Sequence, residues 1–215
     1  MRNILLSLAF LMSIFSTSVA NANGFGFTLS AASLDTDVKD DVDANGTTDT
    51  TKSLSNEIAF GSIFVEKSLT DNLIVGLDWI PFEAEFESRS TTQTSMGSTA
   101  TQTSGTNKGT ADVSNHLTFY IQPIASNGIF ATLGYMTADV SSLVQSVSST
   151  DKTVEQTLEG IKLGIGIKKD FGEGFVKIEL SRNDYDEASV TTGNNTKVTA
   201  DIDSTQLNLS VGKGF

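Results

Sequence analysis

Cysteine is absent from the 215 residues, which excludes a disulfide framework and a lipid-anchored cysteine. Proline occurs only at Pro81 and Pro123, and histidine and tryptophan only as His116 and Trp79. Positive charge is scarce: 14 Lys and Arg stand against 26 Asp and Glu, a net charge of −12. That balance argues against a nucleic-acid partner. Beyond the first 22 residues no long apolar run and no helix-period segment occurs, so any residence in a membrane must be through strands.

The first 22 residues are of another kind. Arg2 gives a short positive start, and Ile4 to Val19 form an apolar stretch broken only by Ser and Thr. Ala20-Asn21-Ala22 matches a small-x-small cleavage pattern, so residues 1–22 are expected to be a secretory signal removed after Ala22. The run is short of the roughly 20 apolar residues that a spanning anchor needs. Residues 23–215, one domain's worth of chain, keep 13 Lys and Arg against 26 Asp and Glu, a charge of −13.

Strict alternation organises that domain. Eight strands are expected near 24–34, 54–67, 73–87, 113–123, 128–140, 157–169, 174–185 and 201–215. Phe25, Phe27, Leu29 and Ala31 oppose Gly26, Thr28 and Ser30. Ile161, Leu163, Ile165 and Ile167 oppose Gly160, Lys162, Gly164, Gly166 and Lys168; Val176, Ile178 and Leu180 oppose Lys177, Glu179 and Ser181. Leu117, Phe119 and Ile121 oppose His116, Thr118, Tyr120 and Gln122. A soluble sandwich alternates likewise. The connections separate the two: short turns at 68–72, 124–128 and 170–174 interleave with long polar segments at 35–53, 88–112, 141–156 and 186–200. All short turns and both ends of the domain then lie on one side.

The last nine residues place Leu207, Leu209, Val211 and Phe215 on one face and Asn208, Ser210, Gly212 and Gly214 on the other. This end resembles the closing-strand signal of Gram-negative outer-membrane β-barrels. Their asymmetry of short periplasmic turns and long outer loops is the one read above. The expected fold is all-β: an eight-stranded antiparallel up-and-down transmembrane barrel in the cell outer membrane. Its implied partners are membrane lipid and lipopolysaccharide, the barrel-assembly machinery and periplasmic chaperones, with the chain acting as a monomer. Lys213 interrupts the apolar face and is expected to snorkel to the interface. Pro81 cannot donate to a ladder, so a bulge is expected there, turning Glu83, Glu85 and Glu87 inward.

Chemistry has few footholds. An eight-stranded barrel is just wide enough to be filled by side chains. The inward candidates are Glu57, Asp78, Glu83, Glu85, Glu87, Arg89, Lys162, Lys168, Lys177 and Glu179, read as a paired polar core rather than a narrow pore. Asp41-Val42-Asp43-Ala44-Asn45-Gly46-Thr47-Thr48-Asp49 matches the first nine positions of an EF-hand calcium loop, with ligands at Asp41, Asp43, Asn45, Thr47 and Asp49. Lys52 replaces the bidentate glutamate at position twelve, so a weak calcium site is expected, and otherwise no cofactor. The segment from Ser88 to Thr110 is low in complexity and has no aromatic anchor for a partner. His116, beside Ser114 and Thr118, is the one foothold for catalysis. With no nucleophile motif, a non-enzymatic structural and surface-interaction role is expected. The alternatives are a narrow channel for small solutes and a secreted β-sandwich that binds a ligand.

Overall fold

Strand pairing returns to where it began. The computed structural model describes residues 23–41, 48, 50–81, 84–86, 91–95, 103–146, 149–191 and 197–214. Its strands are β1 (Asn23–Asp41), β2 (Thr50–Thr70), β3 (Leu73–Ile80), β4 (Ala84–Phe86), β5 (Thr91–Ser95), β6 (Thr103–Pro123), β7 (Ile129–Ser146), β8 (Ser149–Phe171), β9 (Gly174–Tyr185), β10 (Ala188–Thr191) and β11 (Lys197–Gly214). Neighbours run β1-β2-β3-β6-β7-β8-β9-β11, and β11 pairs again with β1. The result is a closed antiparallel barrel of eight staves, with β4 and β5 added to β6 and β10 to β11. Closure satisfies backbone groups that an open sheet would leave at two edges. The seam runs without a register shift from Gly24↔Gly214 to Asp41↔Lys197.

Short turns hold one end. The Asn72 N–H bonds the Thr70 hydroxyl, and the Asn127 side chain accepts from the Ile129 N–H. Gly128 and Gly172 adopt positive φ (86° and 63°), which glycine enters without a Cβ penalty. At Gly128 a Cβ would also lie 2.3 Å from the Lys168 carbonyl.

At the other end the structure corrects the sequence reading. The expected long loops are largely strand: β1 continues to Asp41, β2 starts at Thr50, and β7 and β8 run to Ser146 and from Ser149. These extensions are rich in Ser and Thr, and their apolar residues are sparse, so period-two polarity is faint although the backbone pairs throughout. The bulge expected at Pro81 is present. Ile80 pairs with His116, whereas Ala84 pairs with Val113, so the register slips by one residue across 81–83. A second irregularity, between Ser114 and Leu117 against β7, contains Asn115 at φ 52°, a left-handed conformation that asparagine tolerates. Glu85 stands opposite Asp112; Glu83, Glu87 and Arg89 lie outside the described residues.

The glycines that alternate along the strands lie under large side chains. A Cβ on Gly76 would sit 2.2 Å from the Tyr120 ring, one on Gly212 2.3 Å from Phe175, and one on Gly26 2.6 Å from Phe64. The filling of the barrel is thus rooted on some strands and leans on bare backbone of others.

Candidate functional site

Two faces of the barrel carry the information about function: its lumen and its outer wall. Inward residues alternate as the sequence suggested for β1, β6, β8, β9 and β11, with Thr28, Ser30, Thr118, Gln122, Lys177, Glu179, Asn208 and Ser210 all buried. For β2 the phase differs. Glu57 is exposed on the outer wall, and Ser62, Phe64 and Glu66 point in. The pair Ile63-Phe64 offers an apolar residue to each face, so hydropathy alone left the phase of this strand undecided.

Glu66, unread as a site residue in the sequence, is the centre of a plug. Its carboxylate accepts from the Lys177 ammonium at 2.6 Å and from the Tyr120 hydroxyl at 3.3 Å, and Lys168 stands 3.8 Å away. Lys177 is boxed by aromatic rings, 4.7 Å from the centroid of Phe64, 5.5 Å from Tyr120 and 5.6 Å from Phe175; Lys168 lies 4.4 Å over Phe175. Cation–π contact strengthens where water is excluded. A second tier lies above. Glu179 pairs with Lys162 at 2.7 Å and accepts from Thr132, Gln122 and Asn208. Glu66 and Glu179 each have both a cation and neutral donors, the condition under which buried ions are tolerated. The paired polar core expected at Lys162, Lys168, Lys177 and Glu179 is present, with Glu66 added.

Higher still, the Ser62 hydroxyl donates to Asp78 at 2.8 Å and the His116 ring meets the Tyr185 hydroxyl at 2.9 Å through Nε2. The ring thus bonds Tyr185 rather than Ser114 or Thr118. Tyr185 and Asn183, both missed in the sequence, come from the end of β9, where a polar run gave no sign of which side chains would be enclosed.

The outer wall is the converse. Phe27 is 64% exposed, Ile165 62% and Leu209 45%, and 21 large apolar side chains of the described residues stand out from the wall. Leu207, Leu209 and Val211 of the terminal signal are among them, facing out beside Phe25 and Phe27 across the seam. Phe215, like Ala20, Ala22 and the whole of residues 1–22, lies outside the described residues. Leaving half of each such side chain in water costs about 1 kcal/mol per residue. The roughly 20 kcal/mol forgone over the wall is recovered when lipid covers it, and a contiguous apolar surface of this extent marks a membrane face. This is a membrane-spanning barrel.

No protein-family model matches the chain, and no curated protein matches it. Among solved structures, the outer membrane protein OprG from Pseudomonas aeruginosa is similar over 91% of this chain and 97% of its own, at 16% identity and a TM-score of 0.49. The outer membrane protease OmpT from Escherichia coli is similar over 93% and 99%, at 8% identity and a TM-score of 0.49. Ail, the attachment invasion locus protein of Yersinia pestis, is similar over 90% and 99%, at 10% identity and a TM-score of 0.45. What places this chain in a membrane is its own surface. A closed, even-numbered antiparallel barrel with an apolar belt and turns short at one end is outer-membrane architecture, and the outer membrane is where the chain resides.

Above the belt the polarity turns over. Asp35 and Asp37 of β1, Glu57 of β2, Glu155 and Glu159 of β8, Asp184 of β9 and Asp201 and Asp203 of β11 occupy the outward positions. The inward positions of the same strands become apolar: Leu34, Ile58, Phe60, Leu158 and Ile202. Carboxylates stand opposite one another across adjacent strands, Asp35 with Asp203, Asp203 with Asp184, and Asp37 with Asp201. Arg182 bonds Asp203 at 2.5 Å, and Lys39 bonds Asp201 at 2.6 Å. That bond and the nearby carboxylate charge raise the Lys39 pKa above the ordinary lysine value. Of the expected calcium ligands, Asp41 ends β1 opposite Lys197; Asp43, Asn45, Thr47 and Asp49 lie outside the described residues.

Proposed function

We propose that the protein is a non-conducting outer-membrane barrel with a structural and surface-interaction role, exercised by its outer collar rather than its lumen. One observation carries this reading: the inward lysines Lys162, Lys168 and Lys177 are all held by Glu66 and Glu179. The tiers around Glu66–Lys177 and Glu179–Lys162 leave a solute no charged pathway between them. The outward carboxylates of β1, β2, β8, β9 and β11 instead sit at the height of the lipid head groups. Like charges placed directly opposite are destabilising. Divalent cations shared with lipopolysaccharide phosphates would relieve them, and that is the proposed contact. Lys213, 3.0 Å from Glu173 beside a short turn, marks the opposite interface. Assembly through the barrel-assembly machinery and periplasmic chaperones, a monomeric state, absence of catalysis and weak calcium binding by Asp41, Asp43, Asn45, Thr47 and Asp49 belong to the same proposal.

The test pairs two measurements on the refolded protein. Planar bilayers should show no stable single-channel steps. Thermal unfolding in lipopolysaccharide-containing bilayers should fall when magnesium is chelated, and fall less in an Asp35→Asn, Asp203→Asn variant. Regular conductance steps would refute the sealed lumen, and indifference to magnesium would refute the collar's role. For the calcium loop, calorimetry should detect weak binding that an Asp41→Ala, Asp43→Ala variant loses; equal heats in the two proteins would end that reading.

A further inference from the structure

Between the Glu179 tier and the His116–Tyr185 pair the lumen keeps a cavity of about 40 Å³. At ~10–15 Å³ of occupied volume per water, it holds a few small polar molecules. Asp78, His116 and Asn183 all line it. Asn183 is almost wholly buried, yet its Oδ1 accepts no hydrogen bond, and Nδ1 of His116 is likewise buried and without a partner. Asp78 receives the Ser62 hydroxyl on one oxygen, and among the described residues no cation stands within ion-pair distance of it. Lys162 and Lys177, which also line the cavity, are held by Glu179 and Glu66. Apolar side chains of Phe60, Ile80 and Met136 complete the wall.

Three acceptor-bearing side chains, one of them a carboxylate without an ion partner among the described residues, therefore line one cavity with a small apolar surface. A primary ammonium carries three N–H donors, one positive charge and no acceptor. We propose that this cavity is a binding site for such a group, as the ammonium ion or a short alkylammonium. Its donors meet Asp78, Asn183 Oδ1 and His116 Nδ1, and its carbon lies against Phe60, Ile80 and Met136. In this arrangement His116 carries its proton on Nε2 and donates it to the Tyr185 oxygen, leaving the Nδ1 lone pair for the ligand. An anion would bring further acceptors to these three, while the lining cations Lys162 and Lys177 are already held by Glu179 and Glu66. The net charge of −12 concentrates cations around the protein.

His116 is the sole histidine of the chain, so its ring signals in a magnetic resonance spectrum are unambiguous. The full refolded barrel is titrated with methylammonium chloride. Potassium chloride and tetramethylammonium chloride, which have no N–H donors, serve as controls at matched ionic strength. The expected result is a saturable shift of the His116 resonances with methylammonium alone, weakened at least tenfold by Asp78→Asn. Asn183→Ser is the second variant, should the first not give the heat-modifiable gel migration of a folded barrel. A linear, unsaturated shift, an equal response to potassium, or an unchanged affinity in a folded variant would overturn the proposal. Neither result bears on the conductance test, because the Glu66–Lys177 tier below the cavity is unchanged in both variants.

Discussion

At the scale of single residues, the lumen turns on what happens when one partner of a buried pair is removed. Among the described residues, Lys177→Met leaves Glu66 with only Lys168, at 3.8 Å, and the Tyr120 hydroxyl. A buried ion deprived of its partner typically costs about 3–5 kcal/mol, and the remaining cation places the expected loss near the lower figure. Replacing both Glu66 and Lys177 by Leu and Met should cost less than the single change, because Lys168 keeps Asp170 at 3.5 Å and no buried carboxylate is then stranded. Urea unfolding in lipid vesicles measures both variants. A double variant less stable than Lys177→Met would contradict the plug as described. Gly76→Ala tests the packing: its Cβ would meet the Tyr120 ring at 2.2 Å, and overpacking of this kind costs roughly 1–3 kcal/mol. Lys39 provides a surface counterpart. Its pKa is raised, so its contribution is fully present below the ordinary lysine pKa and is lost only as pH rises through the higher folded value. Stability should thus be indifferent to Lys39→Gln above that range and slightly lowered by it at neutral pH, an effect that salt screens.

At the scale of elements, the legibility of the sequence followed the strength of contrast between faces. Strands β1, β8, β9 and β11 were readable because lipid and lumen demand opposite side chains, and Leu207, Leu209 and Val211 obeyed that demand without exception. The slip at Pro81 was readable because proline cannot donate to a ladder. Glu57 was misplaced and Glu66 overlooked because Ile63 and Phe64 carry apolar groups to both faces of β2. The extensions of β7 and β8 read as loop because Ser and Thr satisfy either face, so polarity ceased to report on pairing. Their hairpin should therefore project from the cell. An epitope inserted between Ser146 and Ser149 is expected to be tolerated and reached by antibody on intact cells. The same epitope at Gly172-Glu173 should be reached only after the outer membrane is opened. Equal labelling at both sites would invert or abolish the assigned orientation.

At the scale of the molecule, one chain carries two opposite solvation rules along the same strands. At membrane depth the outside is apolar and the inside polar; beyond it the outside is acidic and the inside apolar. The second rule is that of a soluble sheet, which is why a secreted sandwich remained an alternative in the sequence. Both rules meet on β11, where Asp201 and Asp203 precede Leu207, Leu209 and Val211 on one face. Because the chain has no cysteine, single cysteines can be introduced and spin-labelled without background. Such a scan from 201 to 211, read against a lipid-soluble and a water-soluble relaxant, tests the account most directly. Positions 207, 209 and 211 should respond to the lipid-soluble relaxant, 201 and 203 to the water-soluble one, and 204, 206, 208 and 210 weakly to both. Loss of the period of two, or access of the water-soluble relaxant to 207, 209 and 211, would contradict it.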